Sequence, residues 1–429
     1  MMLQDGSTQL LCLTASSGVP LFTRGAPKQL PFSVIGSLNG VHMFGGGQGV
    51  ALSCCETEGG GRVVWRVFQD SVMLIAATGG GRGAAAGRSS ATEVHLRRLL
   101  ENAWSCMVLV LGRDELVSVR NVERLKKDLR SCFGLIDQLL EERSEGVLGN
   151  LTHCADLLLP PDPTLLQEAV DGFAQCADSE FGCLVIHGRI AAATEKWWRL
   201  APQEIVLLSA LMRSLSASGS ASCDYPVFLP QGSPTVAHRL LRFRLLPGAD
   251  VCVLCGPTPS LHGAESGLVV RFWRPAMDAL RDCLATGERC LPGSVTLRPD
   301  VLALLLINRE THRSVSSVQT ARPQSGPPLP SKGRCWELLK LFYIFGTTRY
   351  FAREDASSVS AEEGGAKDDV FGFSHQPLQC YLVTEECKCY GLQTPQHQLF
   401  LLAPPSVPSH VLSTLATQTL SDIVAATGF

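Results

Sequence analysis

The sequence lacks several features that whole classes of protein require. Its apolar runs, such as VLALLLIN and CMVLVLG, are far shorter than the roughly 20 residues that cross a bilayer as a helix. It has no basic domain and no arginine-rich arm, and its formal net charge of -3 argues against nucleic-acid binding. The first residues show no basic segment ahead of an apolar one, so we expect no secretory signal and a cytoplasmic protein.

Charged residues are also scarce. They make up 18% of the chain, against about 25% in an average soluble domain, while 45% of the residues are hydrophobic. This balance suggests that partners bury part of the surface. The 17 cysteines are odd in number and scattered along strand-like runs, so we expect reduced thiols and no disulfide framework.

Signatures of catalysis and metal binding are missing as well. There is no G-x-S-x-G turn and no second Cys-x-x-Cys pair at zinc-site spacing. Cys252 and Cys255 lie three apart on a predicted strand, which sends their side chains to opposite faces. A group that could gather around an ion comprises His375, Cys380, Cys387 and Cys389. We favour incidental spacing for that group, and expect no catalytic residue, no metal and no cofactor.

One glycine-rich stretch imitates a nucleotide site. Gly81, Gly83 and Ala86 follow an apolar run and fit the G-x-G-x-x-A form of the dinucleotide fingerprint. In that fold the helix would begin at the last glycines, whereas the best cap here is Ser90 or Thr92. Three strands in a row also precede the stretch. We interpret it as a loop between a strand and a helix, and an NAD- or FAD-dependent oxidoreductase is the alternative.

A repeat organises the chain. The predicted order β-β-α-β-β-β-α occurs three times, over residues 1–158, 165–288 and 298–429. We therefore predict an α+β protein of three similar domains, each an antiparallel five-stranded sheet with flanking helices. Mobile insertions are expected near 320–333 and 353–370, which are rich in proline or in glycine, serine and acidic residues.

Two helical segments are candidates for interaction surfaces. In the first, Phe32, Ile35, Val41 and Phe44 are expected on one face of a short helix. The second has an apolar stripe of Val122, Leu125 and Leu129. Its basic residues are Arg120, Arg124, Lys126, Lys127 and Arg130. A solvated face and a contact with a partner or with acidic lipid, such as a phosphoinositide surface, are both compatible with this pattern.

Five stretches spread over the three repeats match one known family. They read LPFSVIGSLNGVHMFG, VRNVERLKKDL, ATEKWWRL, DYPVFLPQGSPTVAHRLL and CYLVT. With these stretches the sequence resembles the Fuzzy family of planar cell polarity effector proteins. The resemblance implies three longin domains, in agreement with the repeat.

The same resemblance implies partners and a setting. The partners are Inturned, as a heterodimer, the WD-repeat partner of the planar polarity effector complex, and a Rab-family or atypical small GTPase. The implied architecture is that of heterodimeric Rab guanine-nucleotide exchange factors, whose first longin domains pair and face the GTPase. The implied processes are ciliogenesis, basal body docking, intraflagellar transport recruitment, planar cell polarity and Hedgehog signalling, at the cytoskeleton and cilium basal body.

These expectations give a functional hypothesis without a catalytic residue. The chain is expected to be a non-catalytic subunit of a Rab-type exchange complex, because exchange needs only a surface that favours a nucleotide-poor conformation of the GTPase. Positions in the first domain suggest contact residues, namely Phe32, Asn39, His42, Phe44, Val64 and Trp65. The alternative is an adaptor that recruits a small GTPase or ciliary cargo to membranes without exchange activity.

Overall fold

The computed structural model describes most of the chain. It covers residues 8–25, 30–57, 60–79, 89–140, 146–217, 219–319, 329–351 and 377–429. The chain divides into two compact units, Met1–Ala285 and Thr286–Phe429. The first unit contains two strand–helix repeats and the second unit contains the third.

The first repeat is an antiparallel five-stranded sheet with helices packed on it. Its strands are β1 (Thr8–Thr14), β2 (Pro20–Gly25), β3 (Cys54–Glu56), β4 (Arg62–Phe68) and β5 (Val72–Thr78), in the spatial order β2-β1-β5-β4-β3. Its helices are α1 (Phe32–Gly47), α2 (Ser89–Leu111), α3 (Arg113–Val117), α4 (Val122–Asp128), α5 (Phe133–Leu140) and α6 (Gly149–Thr152), with a 3-10 turn at Leu129–Cys132. Strands β1 and β5 are buried along almost their whole length because both of their faces are covered.

The second repeat has the same sheet order. After the short strand β6 (Ala155–Asp156) come α7 (Pro163–Cys176), β7 (Phe181–Ile186), β8 (Arg189–Ala193), α8 (Pro202–Ala217), β9 (Ser222–Leu229), β10 (Ser233–Leu246), β11 (Ala249–Cys255), α9 (Leu261–Gly263), α10 (Val270–Trp273) and α11 (Met277–Thr286). Its five main strands lie in the order β8-β7-β11-β10-β9. Helix α7 begins where Asp162 accepts the Leu165 N–H and Pro163 takes the first helical position.

The second unit builds the third repeat. Its elements are β12 (Ala303–Asn308), β13 (Arg313–Val318), α12 (Lys332–Arg349), β14 (Gln379–Val383), β15 (Lys388–Gln393), β16 (His397–Ala403) and α13 (Leu412–Thr427). The strands lie in the order β14-β15-β16-β12-β13. Phe400 of β16 anchors the core, with its ring 5.7 Å from that of Phe342 and 5.2 Å from that of Tyr343. These contacts fix α12 on one face of the sheet.

The predicted fold class is confirmed. Each repeat has the predicted order β-β-α-β-β-β-α and an antiparallel sheet with the same strand order. The domain limits near 158, 165, 288 and 298 stay a prediction, since the first two repeats share one compact unit. The Gly81–Ala86 motif, the insertion at 353–370 and most of that at 320–333 lie outside the described residues.

The predicted single apolar face of α1 is wrong. The helix itself is present, but only Ile35 of the four apolar residues is buried, and Phe32, Val41 and Phe44 are exposed. Phe32 and Val41 lie nine residues apart, which is two and a half turns at about 3.6 residues per turn. They therefore point in opposite directions around the helix axis.

The two repeats of the first unit meet at the end of α2. Gly112 follows this helix at φ +82° and ψ 155°, a backbone conformation that is almost restricted to glycine. A Cβ atom on Gly112 would lie 2.9 Å from the Phe228 ring of β9. Both the turn and the close approach of β9 therefore require glycine at this position.

We predict that Gly112→Ala destabilises the first unit. The free energy of unfolding should fall by about 2–4 kcal/mol, because backbone strain of about 1–3 kcal/mol adds to the overlap with Phe228. Chemical denaturation measures this change. Gly219→Ala is the control, since Gly219 also has a positive φ but its Cβ would meet no atom within 4 Å. Equal losses in the two variants would show that contact with Phe228 contributes nothing.

Candidate functional site

Helix α1 presents an exposed apolar surface. Phe32 is 79% exposed and Phe44 is 71% exposed, and Val41 and Met43 are also more than half exposed. The helix begins after Pro31 and has no acidic residue in its first turn and no basic residue in its last. Four large apolar side chains that are exposed on one helix are candidates for burial by a partner. We call Phe32, Val41, Met43 and Phe44 the α1 surface.

The side of α1 that carries Ile35 packs on the sheet. Ile35 joins a core cluster with Leu11, Trp65 and Met73, against which Leu38 is also packed. The Trp65 indole N–H donates to the Leu38 carbonyl oxygen at 3.2 Å. Apolar packing and this bond therefore hold α1 in place and leave its outer side to solvent.

The structure separates the predicted contact residues into two groups. Phe32 and Phe44 lie on the exposed side of α1, and His42 is half-buried. Val64 is fully buried and Trp65 is 3% exposed, so these two side chains are not available to a partner. Neighbouring residues of a strand point to opposite faces, and both faces of β4 are covered.

Asn39 lies beside the turn between β1 and β2. Its side-chain amide fills the space over Gly18, where a Cβ atom would lie 2.1 Å from the amide nitrogen. Gly18 has φ +64°, so the turn and the helix fit together through a glycine and a short polar side chain.

The contact residues predicted from the sequence did not include Met43, which is exposed. A helical wheel centred on Phe32 would have shown that Met43 lies on the same side of α1 as Phe32.

The edge strand β3 lies next to this helix. It pairs on one side with β4, through Cys54 with Val64 and Cys55 with Val63. Cys55 packs against the same core cluster as Ile35. The outer side of an edge strand carries backbone groups that another strand can bind. Helix α1 and strand β3 thus contribute to the same core cluster of the first repeat.

We predict that Trp65→Phe loosens α1. Loss of the hydrogen bond to Leu38 should lower the free energy of unfolding by about 1 kcal/mol more than the control substitution below does. It should also speed the exchange of backbone amide hydrogens in residues 33–47. Hydrogen exchange with mass spectrometry measures this. Trp197→Phe is the control, because Trp197 is also buried and its indole nitrogen has no hydrogen-bond partner among the described residues. Equal acceleration in both variants would exclude a specific role for Trp65.

The basic segment, residues 120–130, packs on the protein through two residues of the predicted apolar stripe. Leu125 and Leu129 are buried, and Asn121 caps α4 by accepting the Arg124 N–H. Lys126 pairs with Glu123 at 2.8 Å.

Arg124 also has acidic neighbours in this segment. It lies 3.4 Å from Asp128 and 3.9 Å from Glu115. Within the part of the chain that the structure describes, Arg120, Lys127 and Arg130 are exposed and have no acidic partner within 4 Å. We call these three residues the basic surface.

The cysteines of the third repeat include one close pair. The sulfur atoms of Cys387 and Cys389 lie 3.7 Å apart, and a hydrogen bond from the Cys389 thiol lowers the pKa of Cys387 to about 7. Burial raises the pKa of Cys380 to about 12. Among the described residues no three His, Cys, Asp or Glu side chains are arranged to hold a metal ion, and His375 lies outside them.

Comparison with known proteins agrees with the three-sheet architecture. Models of the first, second and third longin domains of FUZ, MON1 and HPS1 match residues 8–139, 177–274 and 300–427. The matches define a protein of three consecutive longin domains. In the described residues no helix is long and apolar enough to span a membrane.

Relatives that match the chain along almost their whole length identify the family within this class of three-longin-domain proteins. The chain is 47% identical over 428 residues to the protein fuzzy homolog of Xenopus tropicalis, which covers 98% of each chain. It is 45% identical over 427 residues to that of Homo sapiens and 42% identical over 425 residues to that of Rattus norvegicus, with 97% of each chain covered. The chain belongs to the Fuzzy family.

Proposed function

We propose that the chain is a non-catalytic subunit of a Rab-type guanine-nucleotide exchange complex. The observation that carries this proposal is the exposed α1 surface of the first longin domain, on a helix that shares a core cluster with the edge strand β3. The proposed partners are Inturned, through the paired first longin domains, and the WD-repeat planar polarity effector. The proposed setting is the cytoplasm and the cilium basal body, in ciliogenesis, basal body docking, intraflagellar transport recruitment, planar cell polarity and Hedgehog signalling.

The physical requirements of exchange suit such a surface. Binding energy must favour the GTPase conformation that holds nucleotide and magnesium weakly, so no nucleophile or general base is required. Two exposed phenylalanines at the two ends of α1 can act as the buried anchors of an interface, since aromatic side chains supply much of the binding energy in such contacts. Helix α1 contains no Asp, Glu, Lys or Arg residue. An apolar partner surface can therefore cover this helix without removing water from a charged side chain.

We predict that Phe32→Ser together with Phe44→Ser weakens heterodimer formation with Inturned by about a hundredfold or more, since each lost anchor costs at least about 1.4 kcal/mol. The fold should persist because both side chains are exposed. Co-purification and nucleotide release from a Rab protein are the measurements.

Val236→Ser with Val270→Ser serves as the control, because both valines are exposed elsewhere in the first unit. Full pairing by the Phe32 and Phe44 variant would reject the α1 surface as the interface. If the intact pair binds a GTP-loaded GTPase without changing its release rate, the protein is an adaptor and the exchange proposal fails.

The basic surface is proposed to contact acidic membrane near this complex. We predict that Lys127→Glu with Arg130→Glu weakens binding to phosphatidylserine-rich vesicles about tenfold or more at low salt, because each basic residue contributes about 1 kcal/mol. Vesicle flotation measures this. Arg274→Glu with Arg281→Glu is the control of equal charge change, since Arg274 directly follows α10, Arg281 lies on α11, and both are exposed. The same loss in both variants would mean that net charge, and not this surface, governs binding.

A further inference from the structure

A cavity in the second longin domain is lined by none of the residues to which the proposed exchange function assigns a role. Its volume is about 190 Å³, and it lies where the β7–β8 turn meets the start of β11 and the last two turns of α8. Its polar lining consists of His187, Arg213, Ser216 and Asp250, and Met212 supplies an apolar wall. His187 is exposed, so the cavity reaches solvent at this residue.

The acidic wall of the cavity is already neutralised. One carboxylate oxygen of the buried Asp250 accepts a hydrogen bond from Arg242, which is fully buried. The other oxygen accepts the Ser216 hydroxyl at 2.6 Å. The Asp250 carboxylate therefore has a full positive partner and adds little net negative charge to the cavity.

Arg213 contributes a positive charge that has no such partner. Its stem lies across Gly188, where a Cβ atom would come within 2.4 Å of Cδ, and this packing fixes the direction of the guanidinium. The guanidinium makes one long hydrogen bond, 3.4 Å to the Gly188 carbonyl. Within the described residues no carboxylate lies within 4 Å of Arg213.

One buried acid acts on two arginines. Asp156 attracts both Arg213 and the buried Arg189, and its two oxygens accept the N–H groups of Leu148 and Gly149. Burial lowers the pKa of Arg213, an effect that Asp156 opposes and Arg189 adds to. The attraction of this one carboxylate is thus divided between two guanidinium groups.

We propose that this cavity binds a small oxyanion of the phosphate class, held by the guanidinium of Arg213 with His187 at the mouth. The planar guanidinium presents paired N–H groups that match two oxygens of such an anion. The source is a free phosphate ion or a small phosphomonoester, since the cavity has room for a four-oxygen anion and several waters.

Calorimetric titration of the full chain with inorganic phosphate, at constant ionic strength, tests the proposal. We expect saturable binding in the millimolar range, and Arg213→Met should weaken it by about tenfold or more because the apolar stem stays and the charge is lost. Arg213→Lys keeps the charge but lacks the paired N–H donors, so its affinity for phosphate should lie between those of the wild type and Arg213→Met. Glycerol 3-phosphate is the second probe, and tighter binding of this ester than of phosphate assigns the site to phosphomonoesters.

Arg199→Gln is the matched control, because Arg199 is an exposed arginine of the same repeat that pairs with Glu195. Phosphate also stabilises proteins by exclusion from their surface, and this effect should be equal in all variants. His187 is exposed and has φ +49°, a conformation that asparagine also adopts. His187→Asn therefore removes the imidazole at the mouth of the cavity without disturbing the core, and it should weaken phosphate binding severalfold. Absence of saturable binding, or equal affinity of wild type and Arg213→Met, would overturn the proposal.

Discussion

A five-stranded sheet with two apolar faces must be covered on both of them, and this requirement organises the first longin domain. Helix α2 covers one face, and α1 covers the other through Ile35 and through the bond between Trp65 and the Leu38 carbonyl. A single helix can turn only one side toward a sheet. The rest of the circumference of α1 is therefore left to solvent, and it carries Phe32 and Phe44. The exposure of the proposed interaction surface is thus a direct consequence of how the sheet is covered.

The sequence predicts the fold well because the order of elements survives in its patterns. The same order of apolar runs and turns occurs three times in the sequence. Each of the three repeats forms a sheet with the same strand order. The side-chain directions on α1 were predicted less well. Phe32, Ile35, Val41 and Phe44 look like one group in the sequence, but a spacing of nine residues places Phe32 and Val41 on opposite sides of a helix. The error lies in the period of the helix and could have been avoided from the sequence.

Other parts of the candidate site depend on distant residues and could not be read locally. Val64 and Trp65 resemble surface strand residues until β4 is placed between β3 and β5, which buries both. The pairing of Lys126 with Glu123 follows from a three-residue spacing on a helix and was predictable. By contrast, the approach of Glu115 to Arg124 depends on how α3 packs beside α4. The sequence therefore indicates a basic segment, whereas the structure decides which of its charges remain exposed.

The composition of α1 adds a constraint on how its surface acts. Five of the 16 residues of this helix are glycine, and glycine in a helix interior costs about 0.5–1 kcal/mol relative to alanine. Space around Gly36 and Gly40 would admit a side chain, so packing within the first unit does not demand glycine there. A helix of low intrinsic stability keeps its shape only through tertiary contacts, chiefly Ile35 and the Trp65 bond. Because those contacts order α1 in the free protein, the proposed association would cost less conformational entropy, and more of the energy of burying Phe32 and Phe44 would be available as affinity.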